Sequence, residues 1–371
     1  MRITRLETIY VRPRWLFLKV HTDEGIVGLG EPVVEGRAQT VAAAVHELGR
    51  YLIGQDPRRI EHHWQAMYRG QFYRGGPVLC SAISGIEQAL WDITGKWLGQ
   101  PVYQLLGGAC RDRVRTYGWL GGESYGDYIE SARVSTKAGF TAFKVGLSGA
   151  FDMIETPARV EQVVQQFVQI REAVGNTVDV GIDFHGRVTP AMAVRLAKAL
   201  EPYSPMFIEE PVLPENIDAM ASVARSTSIP IATGERLFTK WGFREVLEKQ
   251  AAAILQPDLS HAGGILECKK IAAMAECYYA AVAPHCPLGP IALAACLHLA
   301  ACTPNFLVQE HVTTGENYLK KPFKIVEGYF ELPPGPGLGI ELDEEALALQ
   351  LYDGSWETPR LWNQDGSVAD W

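Results

Sequence analysis

Asp183, Glu209, Glu235, Asp258, His285 and Glu310 follow one another at intervals of 26, 26, 23, 27 and 25 residues, and each closes a short apolar run. An interval of that size holds one strand, one helix and their connections. The runs are VRTYGWL (114–120), TAFKVG (141–146), VDVGIDF (178–184), MFIEEPV (206–212), PIATGE (230–235), AAILQPDL (252–259), AAVAPH (280–285) and NFLVQE (305–310). Eight short strands with helices between them describe a closed parallel barrel more naturally than an open sheet. In a (β/α)8 barrel the carboxyl ends of the strands form one face, so this rhythm gathers all six groups at one mouth. A single polar residue at a strand end is an ordinary turn former; six in register are not.

The chain ahead of the barrel reads differently. MRITRLETIY alternates like a strand, and WLFLKVH (15–21), a TDEG turn (22–25) and IVGLGE (26–31) read as a hairpin. Helical patterns follow at 38–53 and 81–97, the second with Ile86, Ala89, Leu90 and Ile93 on one stripe. GLGEPV resembles a dinucleotide loop only superficially: Val33 stands where a third glycine belongs, and no helix starts there. The expected organisation is an α+β capping unit over 1–112, the (β/α) barrel over 113–320, and a segment 321–371 that packs back onto the cap.

Composition excludes several classes of function. With 47% apolar and 21% charged residues the chain is that of a soluble globular protein. A net charge of −9 with no Lys/Arg cluster argues against nucleic-acid or anionic-membrane partners. IALAACLHLAAC (291–302) is too short and too His-interrupted to span a bilayer, and the amino-terminal stretch lacks the apolar core of a signal peptide. Seven cysteines without a CxxC disfavour a disulfide framework or a zinc knuckle. Cytoplasm is the default expectation.

The site is read from its parts. In GIDFHGR (181–187), strand alternation sends Asp183 and His185 to one face and Phe184 to the other. Asp183, Glu209 and Glu235, on adjacent strands, can converge on one hard cation; oxygen ligands suit Mg²⁺, with Mn²⁺ second. Glu210 neighbours Glu209 and faces away, and the alternative for the trio is salt bridging to arginines such as Arg236. His185 on the third strand and His285 on the seventh stand on opposite sides of the barrel, and Asp258 is placed to orient His285 and raise its basicity. A metal held by carboxylates can bind a substrate carboxylate and stabilise the charge formed when its α-proton leaves, while the second imidazole protonates a departing β-hydroxyl. That reaction is dehydration.

These residues resemble the enolase superfamily, mandelate racemase subgroup, over nearly the whole chain, from TDEGIVGLGEP through ALWDITGK and LLGGACRDRV to IEEP, GERLF and ILQPDLSHAGG. Longer strings, PRWLFLKVHTDEG, FYRGGP, DFHGRV, FIEEPVLPE and APHCPLGPIALAACLH, are similar to the galactonate dehydratase family. The resemblance implies a modified barrel with an α+β cap, Mg²⁺ on Asp183, Glu209 and Glu235, His285 with Asp258 as base at C2, and His185 as acid for the 3-hydroxyl. It further implies Glu310 as a hydrogen-bond partner of the substrate carboxylate, a specificity pocket completed by the cap near Arg14 and Trp15, and a homo-oligomer acting on a small sugar acid. Racemases of the subgroup carry Lys-x-Lys after the second strand; FKVG keeps Lys144 and puts Gly146 in the second place, so a two-base racemisation is not expected. Lys144 either helps hold the enolate or pairs with Asp183. The loop LSGAFDMIETPARV (147–160) does not follow the galactonate dehydratase pattern, so gluconate, fuconate or arabinonate remain alternative substrates, and a silent sugar-acid-binding relative is the alternative outside enzymes. Schiff-base chemistry would leave the carboxylate trio unexplained.

Overall fold

A computed structural model describes residues 1–121 and 125–371. The first three strands, β1 (Ile3–Val11), β2 (Trp15–Thr22) and β3 (Val27–Gly30), form an antiparallel sheet with β2 in the middle. Helices α1 (Ala38–Leu52), α2 (Ile60–Arg69), α3 (Pro77–Leu98) and the single turn α4 (Val102–Leu105) follow. The glycines of GLGEPV serve packing: a Cβ on Gly28 would strike the backbone of Ala89 and one on Gly30 that of Gly85, so bare backbone lets β3 lie directly on α3.

The barrel is a seven-stranded parallel sheet in chain order: β5 (Gly118–Trp119), β6 (Ala142–Gly146), β7 (Asp179–Asp183), β8 (Ile208–Glu209), β9 (Ile231–Thr233), β10 (Ile254–Leu255) and β11 (Ala281–Val282). Helices α5 (Tyr125–Lys137), α6 (Pro157–Val174), α7 (Pro190–Leu200), α8 (Ile217–Ala224), α9 (Thr239–Glu248), α10 (Ile265–Cys277) and α11 (Pro290–Cys302) alternate with the strands. Two sequence expectations are corrected. The eighth run, 305–310, is not a full strand; it closes the ring through two parallel bridges, Val282 to Phe306 and Thr116 to Gln309. The first run splits at Thr116, whose hydroxyl donates to Gln309 O, and its leading half, β4 (Arg113–Arg115), leaves the barrel to pair with β13 (Tyr329–Glu331) beside β12 (Ile325–Val326).

From there the chain returns to the cap. Arg12 N donates to Gln350 O, Gln39 Nε2 donates to Asp353 O, and α12 (Glu344–Ala348) brings Glu344 within 2.7 Å of Lys19. A small hairpin, β14 (Leu361–Trp362) and β15 (Val368–Ala369), then carries the chain over the barrel mouth. No described helix is long and apolar enough to cross a membrane.

Buried carboxylates tie cap to barrel. Helix α11 is buried along its whole length, and neither it nor α10 has a capping side chain of its own, since Gly289 and Gly264 hold the cap positions. The missing partners come from the cap. Glu31 accepts from Gly289 N at 2.6 Å and Ala292 N at 2.9 Å, and Glu87 on α3 accepts from Ile265 N at 2.7 Å and Leu266 N at 2.9 Å. These are the unsatisfied donors of two helix N-termini, met by carboxylates from another layer.

Burial pushes the Glu31 carboxyl from 4.5 up to about 8, against the pull of its two backbone donors, and Glu87 up to about 7. The folded protein therefore keeps a proton on Glu31 that the unfolded chain has already lost. This contribution to stability is present in full below pH 4.5 and is lost as pH rises to about 8. Glu31→Gln, which stays neutral, is expected to flatten that decline, read as the urea midpoint across this range; equal slopes for the two proteins would contradict it.

Candidate active site

Each carboxylate of the trio arrives on a strand end. Asp183 closes β7, Glu209 closes β8, and Glu235 lies just past β9. Their oxygens come within 4.8 Å of one another, and Asp183 and Glu209 are fully buried. Glu210, at φ 42°, turns away to accept from Thr233 Oγ1 at 2.5 Å and from Arg236 at 2.6 Å. Arg236 thus pairs more closely with Glu210 than with Glu235, which it meets at 3.7 Å.

Lys144, on β6 and buried, extends into the cluster. Its Nζ lies 2.7 Å from Glu209 Oε1, 2.9 Å from Glu310 Oε1 and 3.3 Å from Asp183 Oδ2. Burial alone would lower its pKa, but the charges of Glu209 and Glu310 raise it well above the ordinary lysine value. It is a fixed cation and not a Schiff-base nucleophile. Glu310 also accepts from Trp119 Nε1 at 2.7 Å and from Cys286 N at 2.8 Å. Despite burial, Lys144 and His285 hold its carboxyl down to about 2.

The trio has a crowding of negative charge that a cation could relieve. Burial and the charge of Asp183 raise the Glu209 pKa well above the carboxylate range, and burial raises Glu235 to about 7. Asp183 Oδ2 accepts no well-formed hydrogen bond. Gln256 Nε2 donates to Glu209 Oε2 at 2.6 Å, which fixes that carboxylate from behind. One lysine cannot neutralise this many acids, and a hard divalent ion matches three carboxylate donors with positions left for substrate.

The two imidazoles reach the trio from different ends. His285 Nδ1 meets Asp258 Oδ2 at 2.8 Å, and its Nε2 faces Glu235 at 3.2 Å. Burial works against the charged imidazole, yet Glu310, Asp258 and Glu235 raise its pKa well above the ordinary value. His185 Nε2 lies 3.1 Å from Asp183 Oδ2. Burial lowers its pKa. The shifts are thus opposite in sign: neighbouring carboxylates favour a proton on His285, and burial disfavours one on His185.

His185 comes to Asp183 by a different route from strand alternation. The strand ends at Asp183, and His185 adopts φ 52°, with its N–H donating to Asp183 Oδ1 at 2.8 Å. Gly186 N, bonded to Glu210 O at 2.8 Å, holds the turn. Gly146 makes room for the ring, since a Cβ there would touch His185 Cε1 at 3.4 Å. The position that carries a second lysine in racemases is thus adjoined by the imidazole here.

A cavity of about 580 Å³ lies between this cluster and the cap, walled by Arg14, Glu35 and Pro77 above and by the ionisable groups below. Arg14 reaches it, its Nε donating to Glu35 at 2.6 Å. Trp15 does not: it opens β2 with its ring turned into the cap's core, 3% exposed, so its expected role in the pocket is withdrawn. Residues not singled out from sequence also line it. Trp119 ends β5, His261 joins Ser81 of α3 at 2.9 Å and Asp258 at 3.5 Å, and Trp371 comes from the far end of the chain. Trp119, at the end of its run, follows the same strand-end rhythm as the six; Trp371 has no local signal.

Residues 7–107 match the family model of the mandelate racemase/muconate lactonizing enzyme N-terminal domain, and residues 127–346 match the one described as enolase C-terminal domain-like. The D-galactonate dehydratase of Ralstonia nicotianae is 54% identical over 383 aligned positions, covering 100% of both chains. That of Cronobacter sakazakii is 52% identical over 382, again covering 100% of both. Among solved structures, a mandelate racemase/muconate lactonizing enzyme-like protein from Roseovarius sp. shares a TM-score of 0.93 at 38% identity over 99% of each chain. A mandelate racemase/muconate lactonizing enzyme from Sulfitobacter sp. gives 0.90 at 39% identity, over 95% of this chain and 96% of that one.

Added Mg²⁺ or Mn²⁺ is expected to raise the melting temperature of the protein saturably. Glu209→Gln, which removes one ligand charge, should weaken that binding by more than about 10-fold. The same cation dependence in both proteins would count against a shared ion.

Proposed function

Given that the chain belongs to the mandelate racemase/muconate lactonizing enzyme family, with an enolase C-terminal domain-like barrel, we propose that it dehydrates D-galactonate to 2-dehydro-3-deoxy-D-galactonate. The observation that carries this reading is the placing of two imidazoles, His285 backed by Asp258 and His185 beside Asp183, on either flank of three clustered carboxylates at the floor of one cavity. The D-galactonate dehydratases that match over 100% of the chain support the choice of sugar acid.

Asp183, Glu209 and Glu235 would hold Mg²⁺, or Mn²⁺ in its place. Such an ion supplies positive charge for a substrate carboxylate and for the negative charge that grows on it as the C2 proton leaves. Lys144, held by Glu310, presents further positive charge at the same floor. Glu310, beside Lys144 and His285, keeps in this reading its expected place next to the substrate carboxylate.

His285 takes the proton from C2, and Asp258 keeps the Nδ1 side occupied so that Nε2 faces the site. The electron pair left at C2 forms the C2–C3 double bond as the C3–O bond breaks. His185 gives its proton to the departing 3-hydroxyl, which leaves as water, and the enol tautomerises to the 2-keto acid. The two histidines approach from different ends of the trio, which corresponds to anti elimination. Free cysteines throughout suit a cytoplasmic setting, and a homo-oligomer is in keeping with the family.

In ²H₂O, His185→Asn is expected to exchange the C2 hydrogen while losing dehydration by about 100-fold or more, and His285→Asn is expected to lose both. Full dehydration by His185→Asn would remove His185 from its role. In a panel of aldonates including gluconate, fuconate and arabinonate, D-galactonate is expected to give the highest kcat/KM for 2-keto product; a different best substrate would reassign the sugar, and no turnover with any would favour a silent binding protein.

A further inference from the structure

The C-terminal segment does more than pack on the cap. Gly36 and Thr358 approach so closely that a Cβ on Gly36 would meet Thr358 Oγ1 at 2.8 Å, which fixes the segment against the cap. Beyond it, the turn of the small hairpin is organised by its own side chains: Ser367 N donates to Asp365 Oδ1 at 2.9 Å, and Asn363 N donates to Ser367 O at 2.8 Å. The second hairpin strand then delivers Trp371 to the barrel mouth. Its ring stands edge-on to the His185 imidazole, with centroids 5.5 Å apart at 74°. The Arg187 guanidinium lies 5.3 Å from the same indole and is anchored below by donating to Leu147 O at 2.7 Å.

Among the described residues few polar contacts fix that imidazole: its Nδ1 is buried without a hydrogen-bond partner, its Nε2 meets Asp183, and Gly146 beneath it has no side chain. A ring with one polar contact and an open floor needs a wall to keep its plane, and Trp371 is that wall. Trp371 also borders the cavity over the carboxylate trio, while its neighbour Asp370 borders a second cavity of about 400 Å³ that Phe151 and Met153 of the 147–160 loop help to line. The segment therefore divides the space above His185.

The geometry points to Trp371 as a positioning residue that holds the His185 imidazole in line for protonating the leaving hydroxyl. This deepens the dehydratase reading and rests on it. Among the described residues Trp371 makes no ring contact or hydrogen bond with His285 or the trio, so the step at C2 does not depend on it. Small misplacements of a proton donor cost up to about 100-fold in rate. Loss of the indole should therefore separate the two half-reactions.

The test measures C2 hydrogen exchange in ²H₂O and dehydration of D-galactonate in parallel, with Mg²⁺ present, for the unaltered protein, Trp371→Ala and Trp371→Phe. Trp371 is 44% exposed at the end of a two-stranded hairpin, so both variants are expected to melt with the parent. Trp371→Ala is expected to lose dehydration by about 10- to 100-fold while exchanging C2 hydrogen at close to the parent rate. Trp371→Phe, which restores an aromatic edge, should recover most of the loss. An unchanged ratio of exchange to dehydration in Trp371→Ala, or equal failure of both variants, would overturn the proposal while leaving the reaction intact. Unaltered protein that neither exchanges nor dehydrates any aldonate would remove the dehydratase reading and this one with it.

Discussion

Asp183, Glu209 and Glu310 are crowded around a single lysine at the floor of a buried cavity, with Glu235 close beside the first two, and the rest of the structure is arranged around their repulsion. Carboxylates this close raise one another's pKa, as Glu209 and Glu235 do, unless cations share the space. Lys144 answers part of that need and the His285 imidazole another part. What is left is a demand for positive charge between three strand ends, met by a divalent ion in the proposed enzyme. The supporting contacts serve the same end: Gln256 steadies Glu209, Trp119 and Cys286 N steady Glu310, and Arg236 draws Glu210 out of the cluster.

A charged floor is useful only beneath a closed roof, because water would screen it. The roof is the cap, and its position is set by buried carboxylates that reach across to helix N-termini of the barrel. Glu31 and Glu87 supply the caps that α11 and α10 lack, and His261 links Asp258 to Ser81 on α3. The cap bearing Arg14 and Glu35 is thus held in register with the barrel bearing His285. The C-terminal segment completes the enclosure from the opposite side, over His185.

The strand rhythm made the barrel and six of its mouth residues legible, because a repeat of strand plus helix is written into the spacing of apolar runs. Where the sequence misled, a local rule was overridden. Alternation paired Asp183 with His185, but the strand had already ended, and the pairing comes from a left-handed turn pinned by Glu210 and Gly186. The family resemblance implied Trp15 with Arg14 at the pocket, yet the start of β2 turns the Trp15 ring into the core. The first barrel strand splits because Thr116 spends its hydroxyl on Gln309, a contact between chain ends that no local pattern encodes. Helix α2 was legible and passed over: Ile60, His63, Trp64 and Met67 form its buried stripe. Trp371 was not legible at all, since nothing in its neighbourhood announces contact with a residue just past the third barrel strand.

The central claim is that Asp183, Glu209 and Glu235 share one ion on which the chemistry is built. Anomalous diffraction from crystals soaked in Mn²⁺ tests it most directly. The account predicts a single strong peak within bonding distance of one oxygen from each of the three, about 2.2 Å away, with His185 and His285 left unligated on either side. A peak coordinated by an imidazole, or none at the trio at saturating Mn²⁺, would contradict it.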